Sequence, residues 1–198
     1  CLSELPPPEA LLARARRALE HRLLKVRLTA VREHVAMNYS FENLIGISRS
    51  TVALRERLAR LATTDLPILF AGPQGAGKSL CARILHHHSE RRTSPLFVAD
   101  CGAPEPVLLP ELFGTPGHPG LLHQADGSTL LLEDIDRLPR SLQEHLAEFT
   151  RTYTLPGDTA RLGVRLMGTT TVDPETLSTV IRRDLASHLC AITVPVTG

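Results

Sequence analysis

The chain has 198 residues, a hydrophobic fraction of 42%, no tryptophan and a formal net charge of +1, enough for one domain and an appendage but with no field to draw it toward nucleic acid or a membrane surface. No apolar run is long enough to span a bilayer, and the N-terminus lacks the hydrophobic stretch of a signal peptide. Cys1, Cys81, Cys101 and Cys190 are scattered with no C-x-x-C pair, which points to reduced thiols in a cytoplasm and against a disulfide framework or a zinc site.

The sequence begins with Cys1 rather than Met, so it is expected to be a fragment or a processed product. Pro6-Pro7-Pro8 followed by Glu9 is a helix-start signal. From Glu9 to about Ala36 no breaker intervenes, and Leu11, Leu12, Ala15, Leu19, Leu23, Val26 and Val31 recur near helical spacing, predicting one long helix or two in tandem. A globular domain is expected from Phe41. Ser50 to Leu61 reads as an amphipathic helix, Leu66 to Ala71 as a buried strand, and Ser79 to His87 as the next helix. Strands are expected at Leu96–Ala99, Thr129–Leu132, Val164–Gly168 and Ala191–Val194, with helices at Ser141–Thr150 and Pro174–Ser187. Strands alternating with helices imply an α/β fold with a largely parallel sheet covered on both faces.

Between the first strand and the second helix stands Gly72-Pro73-Gln74-Gly75-Ala76-Gly77-Lys78-Ser79, a complete G-x-x-x-x-G-K-[ST] loop. Glycines let the backbone curl so that successive N–H groups face phosphate oxygens, and the helix that follows adds its positive end. In this pattern Lys78 reaches the terminal phosphates and the Ser79 hydroxyl ligates Mg²⁺. The strand Thr129–Leu132 runs directly into Glu133-Asp134, where a P-loop ATPase needs one acid to hold the metal and one to orient the attacking water.

Phe41-Glu42-Asn43-Leu44-Ile45-Gly46-Ile47-Ser48, the P-loop, Glu111-Leu112-Phe113-Gly114 and Gln124-Ala125-Asp126-Gly127-Ser128-Thr129-Leu130 follow one another in order. This series resembles the AAA+ domain of bacterial enhancer-binding proteins, the NtrC-type activators of sigma-54 RNA polymerase, over about Phe41 to Val194. The resemblance implies a three-layer AAA+ sandwich, ATP with Mg²⁺ as ligands, action in transcription control, and a homo- or hetero-oligomeric ring in which each subunit completes its neighbour's site. Ile45 and Gly46 would lie against adenine, Lys78 and Ser79 would hold the phosphates and metal, and Glu133 and Asp134 occupy the Walker B positions, Glu133 on the metal side. Thr171 falls at the sensor position and Arg182 at the first trans-acting arginine finger. Residues 2–22, with Pro8-Glu9-Ala10-Leu11-Leu12-Ala13-Arg14, resemble the last helix of a receiver domain. The division is therefore 1–40, receiver-like helix and linker, and 41–198, the ATPase domain. Glu4 stands where receivers carry their switch lysine, so phosphorylation control is not expected within this chain.

Departures from the family point to weakened catalysis. The family's Walker B order is Asp then Glu; here Glu133 precedes Asp134, and a misplacement of ~1 Å can cost ~100-fold in rate. Asp100 takes the place of an asparagine that gates the catalytic carboxylate, and an ionised aspartate cannot donate to another carboxylate. His188 replaces the second arginine finger and Thr171 the sensor asparagine. Between Gly114 and Gln124 only residues 115–123 remain of the long GAFTGA loop that touches the sigma factor, so contact with sigma-54 by that route is not expected. The sequence also ends at Gly198, before the family's helical lid and its helix-turn-helix DNA-binding domain.

His86-His87-His88 reads as a helix end, since neighbours about 100° apart do not converge on one ion. Three readings stand: an AAA+ regulatory ATPase, a degenerate nucleotide-binding module without hydrolysis, and a small-molecule kinase. The last shares the P-loop but not the motif series.

Overall fold

The computed structural model describes residues 39–41, 44 and 49–197; the expected helix over 9–36, the receiver-like segment 2–22 and the pair Ile45–Gly46 lie outside them. The chain divides into two units, Cys1–Ser40 and Phe41–Gly198, and all the elements named below belong to the second.

Helix α1 is Arg49–Leu61, strand β1 Ile68–Ala71, α2 Lys78–His87 and β2 Leu96–Asp100. Then come α3 Glu105–Phe113, a hairpin of β3 Gly114–Thr115 and β4 His118–Pro119, α4 Leu121–Gln124, β5 Thr129–Glu133 and a 3₁₀ turn at Ile135–Arg137. The remainder is α5 Arg140–Thr152, β6 Arg165–Thr170, α6 Leu177–Val180, α7 Arg183–Leu189 and β7 Ile192–Pro195.

Among the described residues, five strands form one sheet in the order β2-β5-β6-β1-β7, every pair parallel. Leu130, Leu131 and Leu132 are all fully buried, as both faces of a covered parallel sheet require. Side chains alternate across the strands. One face carries Leu69, Leu130, Leu132 and Leu166 into a core shared with Leu108 and Leu112 of α3, Leu142, Leu146 and Phe149 of α5, and Leu185 and Leu189 of α7. Ile68, Phe70, Leu131 and Met167 alternate to the other face, and α2, whose Cys81, Ile84 and Leu85 are fully buried, packs against β1, β5 and β6. The expected three-layer α/β sandwich is thus what forms.

Within the described residues the elements read from sequence are present, with shifts at their ends and one division. The first strand starts at Ile68 because Pro67 precedes it and Leu66 is exposed. The expected helix over 174–187 is instead two, α6 and α7, separated by extended backbone at Ile181 (φ −115°, ψ 168°). There the Arg182 N–H leaves the helical ladder and donates to Gln143 Oε1 at 3.0 Å. Asp173 opens this segment as a turn, its side chain accepting from the Glu175 N–H at 3.0 Å.

The short segment after Phe113 is a tight hairpin. Its base is pinched: a Cβ on Gly120 would stand 2.3 Å from the Gly114 nitrogen, and one on Gly114 2.6 Å from the Gly120 nitrogen. Gly117 at its tip has φ +86° and open space around it.

Candidate functional site

All five strands of the sheet point the same way, so their carboxyl ends share one edge, the edge where ligands of open α/β sheets sit. The glycine loop leaves that edge from β1. The junction Ala71-Gly72 is stitched to both neighbouring strands: the Gly72 N–H donates to Thr170 O at 3.2 Å and the Val196 N–H to Ala71 O at 2.7 Å. Gly75 (φ +80°) and Gly77 (φ +89°) hold the left-handed turns that curl the loop, and among the described residues a Cβ on either would meet nothing within 4 Å. The chain enters α2 with no side-chain cap at Gly77, which leaves the first amides of that helix free of a competing acceptor from the cap residue.

Lys78 is 7% exposed, and its ammonium donates to the carbonyls of Gly72 and Pro73, both at 2.9 Å. The loop therefore wraps its own lysine, and Ser79 follows half-buried in the first helical turn. Open positive-φ glycines, a lysine held at their centre and a hydroxyl at the helix start fit a polyphosphate.

Across β6 from this loop lies the end of β5. Glu133 closes the strand opposite Asp100 of β2. Asp134 adopts left-handed backbone (φ 51°, ψ 54°), rare for a residue with a side chain. Its N–H donates to Thr169 Oγ1 at 2.9 Å. Four carboxylates gather here: burial first, then the charges of Asp100, Asp134, Asp136 and Glu133, push the Cys101 thiol far up. Arg137 partly offsets them, with Nη1 3.9 Å from Asp134 Oδ2 and its guanidinium against Gly102. Among the described residues no group of three or more His, Cys, Asp or Glu forms a preformed metal cage; Mg²⁺ on a nucleotide takes only one or two protein oxygens, a donor type that Ser79 and Glu133 both carry.

The other positions singled out from sequence sit as follows. Thr171, at the sensor position, engages Asp136 rather than Asp134: its hydroxyl donates to Asp136 Oδ2 at 3.4 Å and its N–H to Oδ1 at 3.3 Å. Thr170 adds the shortest bond, 2.7 Å to Oδ1. Neither Asp136 nor Thr170 was marked by sequence reasoning. The signal was there, since three consecutive threonines, Thr169 to Thr171, end a strand beside an acid-rich turn. Asp100 is exposed and accepts from the Gly102 N–H at 2.8 Å.

Arg182 lies elsewhere, at the start of α7, in a two-pronged pair with Asp184 at 3.1 and 2.8 Å. It borders a cleft of about 310 Å³ lined by Glu144, Glu148, Arg151, Asp184 and His188, to which the glycine loop contributes nothing. His188 is half-buried, its Nε2 2.9 Å from the Tyr153 hydroxyl, and burial lowers its pKa. Of the three consecutive histidines, His86 is buried with Nε2 3.0 Å from Ser94 O, while His88 stacks on Phe41 at 3.9 Å between ring centroids; they do not converge.

The family model described as "Sigma-54 interaction domain" matches residues 44–195. Among curated proteins, the nitric oxide reductase transcription regulator NorR1 of Cupriavidus necator is 40% identical over 130 residues, covering 61% of this chain and 24% of its own length. The transcriptional activator RocR of Bacillus subtilis is 33% identical over 171 residues, 79% of this chain and 37% of its own. Among solved structures, NtrX of Brucella abortus in complex with ADP matches 98% of this chain and 46% of its own, at a TM-score of 0.76 and 29% identity. The P-loop NTPase domain of an Escherichia coli sigma-54 activator shares the fold, with a TM-score of 0.57. The chain spans about a quarter to a third of the curated relatives it matches.

Proposed function

The chain belongs to the family of sigma-54 interaction domains of transcriptional activators, and from that membership we propose that its loop 72–79 binds ATP with Mg²⁺ in an AAA+ regulatory module, with slow hydrolysis. The observation that carries the reading is the open, positive-φ loop around Lys78 on the same sheet edge as Glu133 and Asp134. NtrX, the structural neighbour, has been crystallised with both ADP and ATP. When bound, Mg·ATP supplies a γ-phosphoryl group open to in-line attack by water.

The residues of this chain take the following parts. Amides of Gly75 to Ser79 receive phosphate oxygens, and Lys78 exchanges its two carbonyl partners for the terminal phosphates. Ser79 and Glu133 hold the metal, and Asp134 orients water. Thr171 stands at the sensor position. By the resemblance alone, Ile45 and Gly46 would lie against adenine. Arg182, in its cleft away from the loop, serves the site of a neighbouring subunit in a homo- or hetero-oligomeric ring. The short hairpin Gly114–Pro119 leaves no long loop for sigma-54, so any action on RNA polymerase uses another surface. In domain terms, 41–198 is the ATPase module and 1–40 a receiver-like helix and linker. Among the described residues no helix is long and apolar enough to cross a membrane; the scattered cysteines, with no C-x-x-C pair, favour the cytoplasm.

A second reading, a nucleotide-binding module that does not turn over, draws on two observations. Thr171, at the sensor position, and its neighbour Thr170 are both taken by Asp136, and His188 is held by Tyr153 where the family has a second arginine.

Titration of a fluorescent ATP analogue with Mg²⁺ tests the shared claim. The parent should bind with a Kd in the micromolar range, and Lys78→Ala should weaken it at least tenfold; equal binding by both proteins overturns nucleotide binding at this loop. Phosphate release across a protein concentration series then separates the readings. Turnover that rises with concentration and vanishes in Arg182→Ala supports the ring ATPase, and binding without such turnover supports the second reading.

A further inference from the structure

The resemblance assigns no part to Asp136, yet its carboxylate is the most heavily bonded acid at the site. Thr170 Oγ1 donates to Oδ1 at 2.7 Å, the Thr171 N–H donates to the same oxygen at 3.3 Å, and Thr171 Oγ1 donates to Oδ2 at 3.4 Å. The strand end that makes these bonds also reaches Asp134, through the 2.9 Å bond from the Asp134 N–H to Thr169 Oγ1. Between the two acids runs one tight turn, closed by the Arg137 N–H to Asp134 O at 2.8 Å. Thr169 and Thr170 at the end of β6, with Thr171 just after it, thus grip both ends of the turn that follows β5.

The grip explains the backbone of Asp134. Left-handed φ and ψ on a residue with a side chain persist only where the surroundings over-determine them. Here Thr169 fixes the amide of Asp134, and Asp136 anchors the turn on its far side. The Asp136 carboxylate thus links Thr170 and Thr171 to the turn that carries Asp134.

We propose that Asp136 is a positioning residue that couples Thr170 and Thr171 to Asp134, so that the site distinguishes a nucleoside triphosphate from a diphosphate. This rests on the nucleotide-binding reading above and goes beyond it in naming the relay.

The test uses the whole chain and equilibrium binding, with no dependence on turnover. ATP and ADP, each with Mg²⁺, compete against a fluorescent analogue on the parent, Asp136→Ala, Asp136→Asn and Thr170→Val, and melting temperatures are taken in parallel. The parent should prefer ATP. Asp136→Ala should cut the ATP-over-ADP preference about tenfold, within the usual range of site coupling, while ADP affinity stays within about twofold. Asp136→Asn keeps an Oδ1 acceptor for the Thr170 hydroxyl and the Thr171 amide, and should hold the preference within about threefold.

A merely structural clasp would lower the melting temperature of Asp136→Ala and leave the preference as in the parent, which overturns the proposal. Should Asp136→Ala fail to fold, Thr170→Val is a near-isosteric change that removes the 2.7 Å bond to Asp136 together with the 3.0 Å bond the hydroxyl accepts from the Val172 N–H, and an unaltered preference there overturns it equally. A parent that binds both nucleotides without preference overturns the relay and leaves nucleotide binding standing. A parent that binds neither nucleotide overturns both.

Discussion

The carbonyl oxygen of Val196 stands 2.0 Å from the place a Cβ would take on Gly72. The obstacle is backbone, and that backbone is itself tied to β1 by the 2.7 Å bond from the Val196 N–H to Ala71 O. Gly72→Ala must therefore push β7's exit away from the loop. A loss of roughly 1–3 kcal/mol is expected, the scale of overpacking a close contact. Urea unfolding of parent and variant measures it, and an unchanged midpoint would show that this approach is not rigid.

The fold should lose stability in mild acid through His86. Burial, assisted by the charges of His87, Arg165 and Arg91 and opposed by the bond to Ser94 O, lowers its pKa from 6.5 to about 4. The neutral ring is the folded form. Its contribution is whole above about 6.5, declines as pH falls below that value because the unfolded chain takes up the proton first, and is gone below about 4. The full effect is of order 3 kcal/mol. Denaturant midpoints at pH 7.5, 6, 5 and 4 should fall along this course in the parent, and the fall should be markedly shallower in His86→Gln.

Thr129 begins β5 fully buried, and its hydroxyl has no hydrogen-bond partner among the described residues. An unmet buried hydroxyl is a cost, so Thr129→Val, of nearly the same shape, should stabilise the domain by about 1 kcal/mol. A melting temperature below that of the parent would contradict this account of the site.

Tyr153→Phe keeps the ring that packs on Phe149, 5.3 Å between centroids, but removes the hydroxyl that meets His188 Nε2 at 2.9 Å. A loss of about 1 kcal/mol is expected in denaturant unfolding. If His188 instead faced a neighbouring subunit, the variant would leave stability untouched and alter only self-association, which sedimentation would detect.

How much of this was legible beforehand follows from the range over which each signal acts. The run into β1, its glycine loop and α2 could be read because each signal is local: an apolar strand, turn glycines, an amphipathic helix. Helix α3 was not assigned from sequence. Its prolines speak against a helix, yet proline near the first turn is tolerated, and Pro110 sits within while Leu108 and Leu112, four apart, still reach the core. The break at Ile181 depends on Gln143, thirty-nine positions away from Arg182, and nothing near the break announces it. The partnership of Thr170 with Asp136 likewise arises only once β5 and β6 pair side by side. Motif positions taken in order mark Thr171 and Asp134 but pass over the residue that stands between them in space.

The pinched base of the Gly114–Gly120 hairpin has a practical consequence. Closure is accomplished by two glycine backbones pressed together, so the tip around Gly117 is mechanically insulated from the sheet. Foreign peptide spliced there, an epitope or a fluorophore-labelling tag, ought to ride on the domain as cargo without unsettling it. The same insulation makes the tip a place where lineages can trade one appendage for another at little risk to the scaffold.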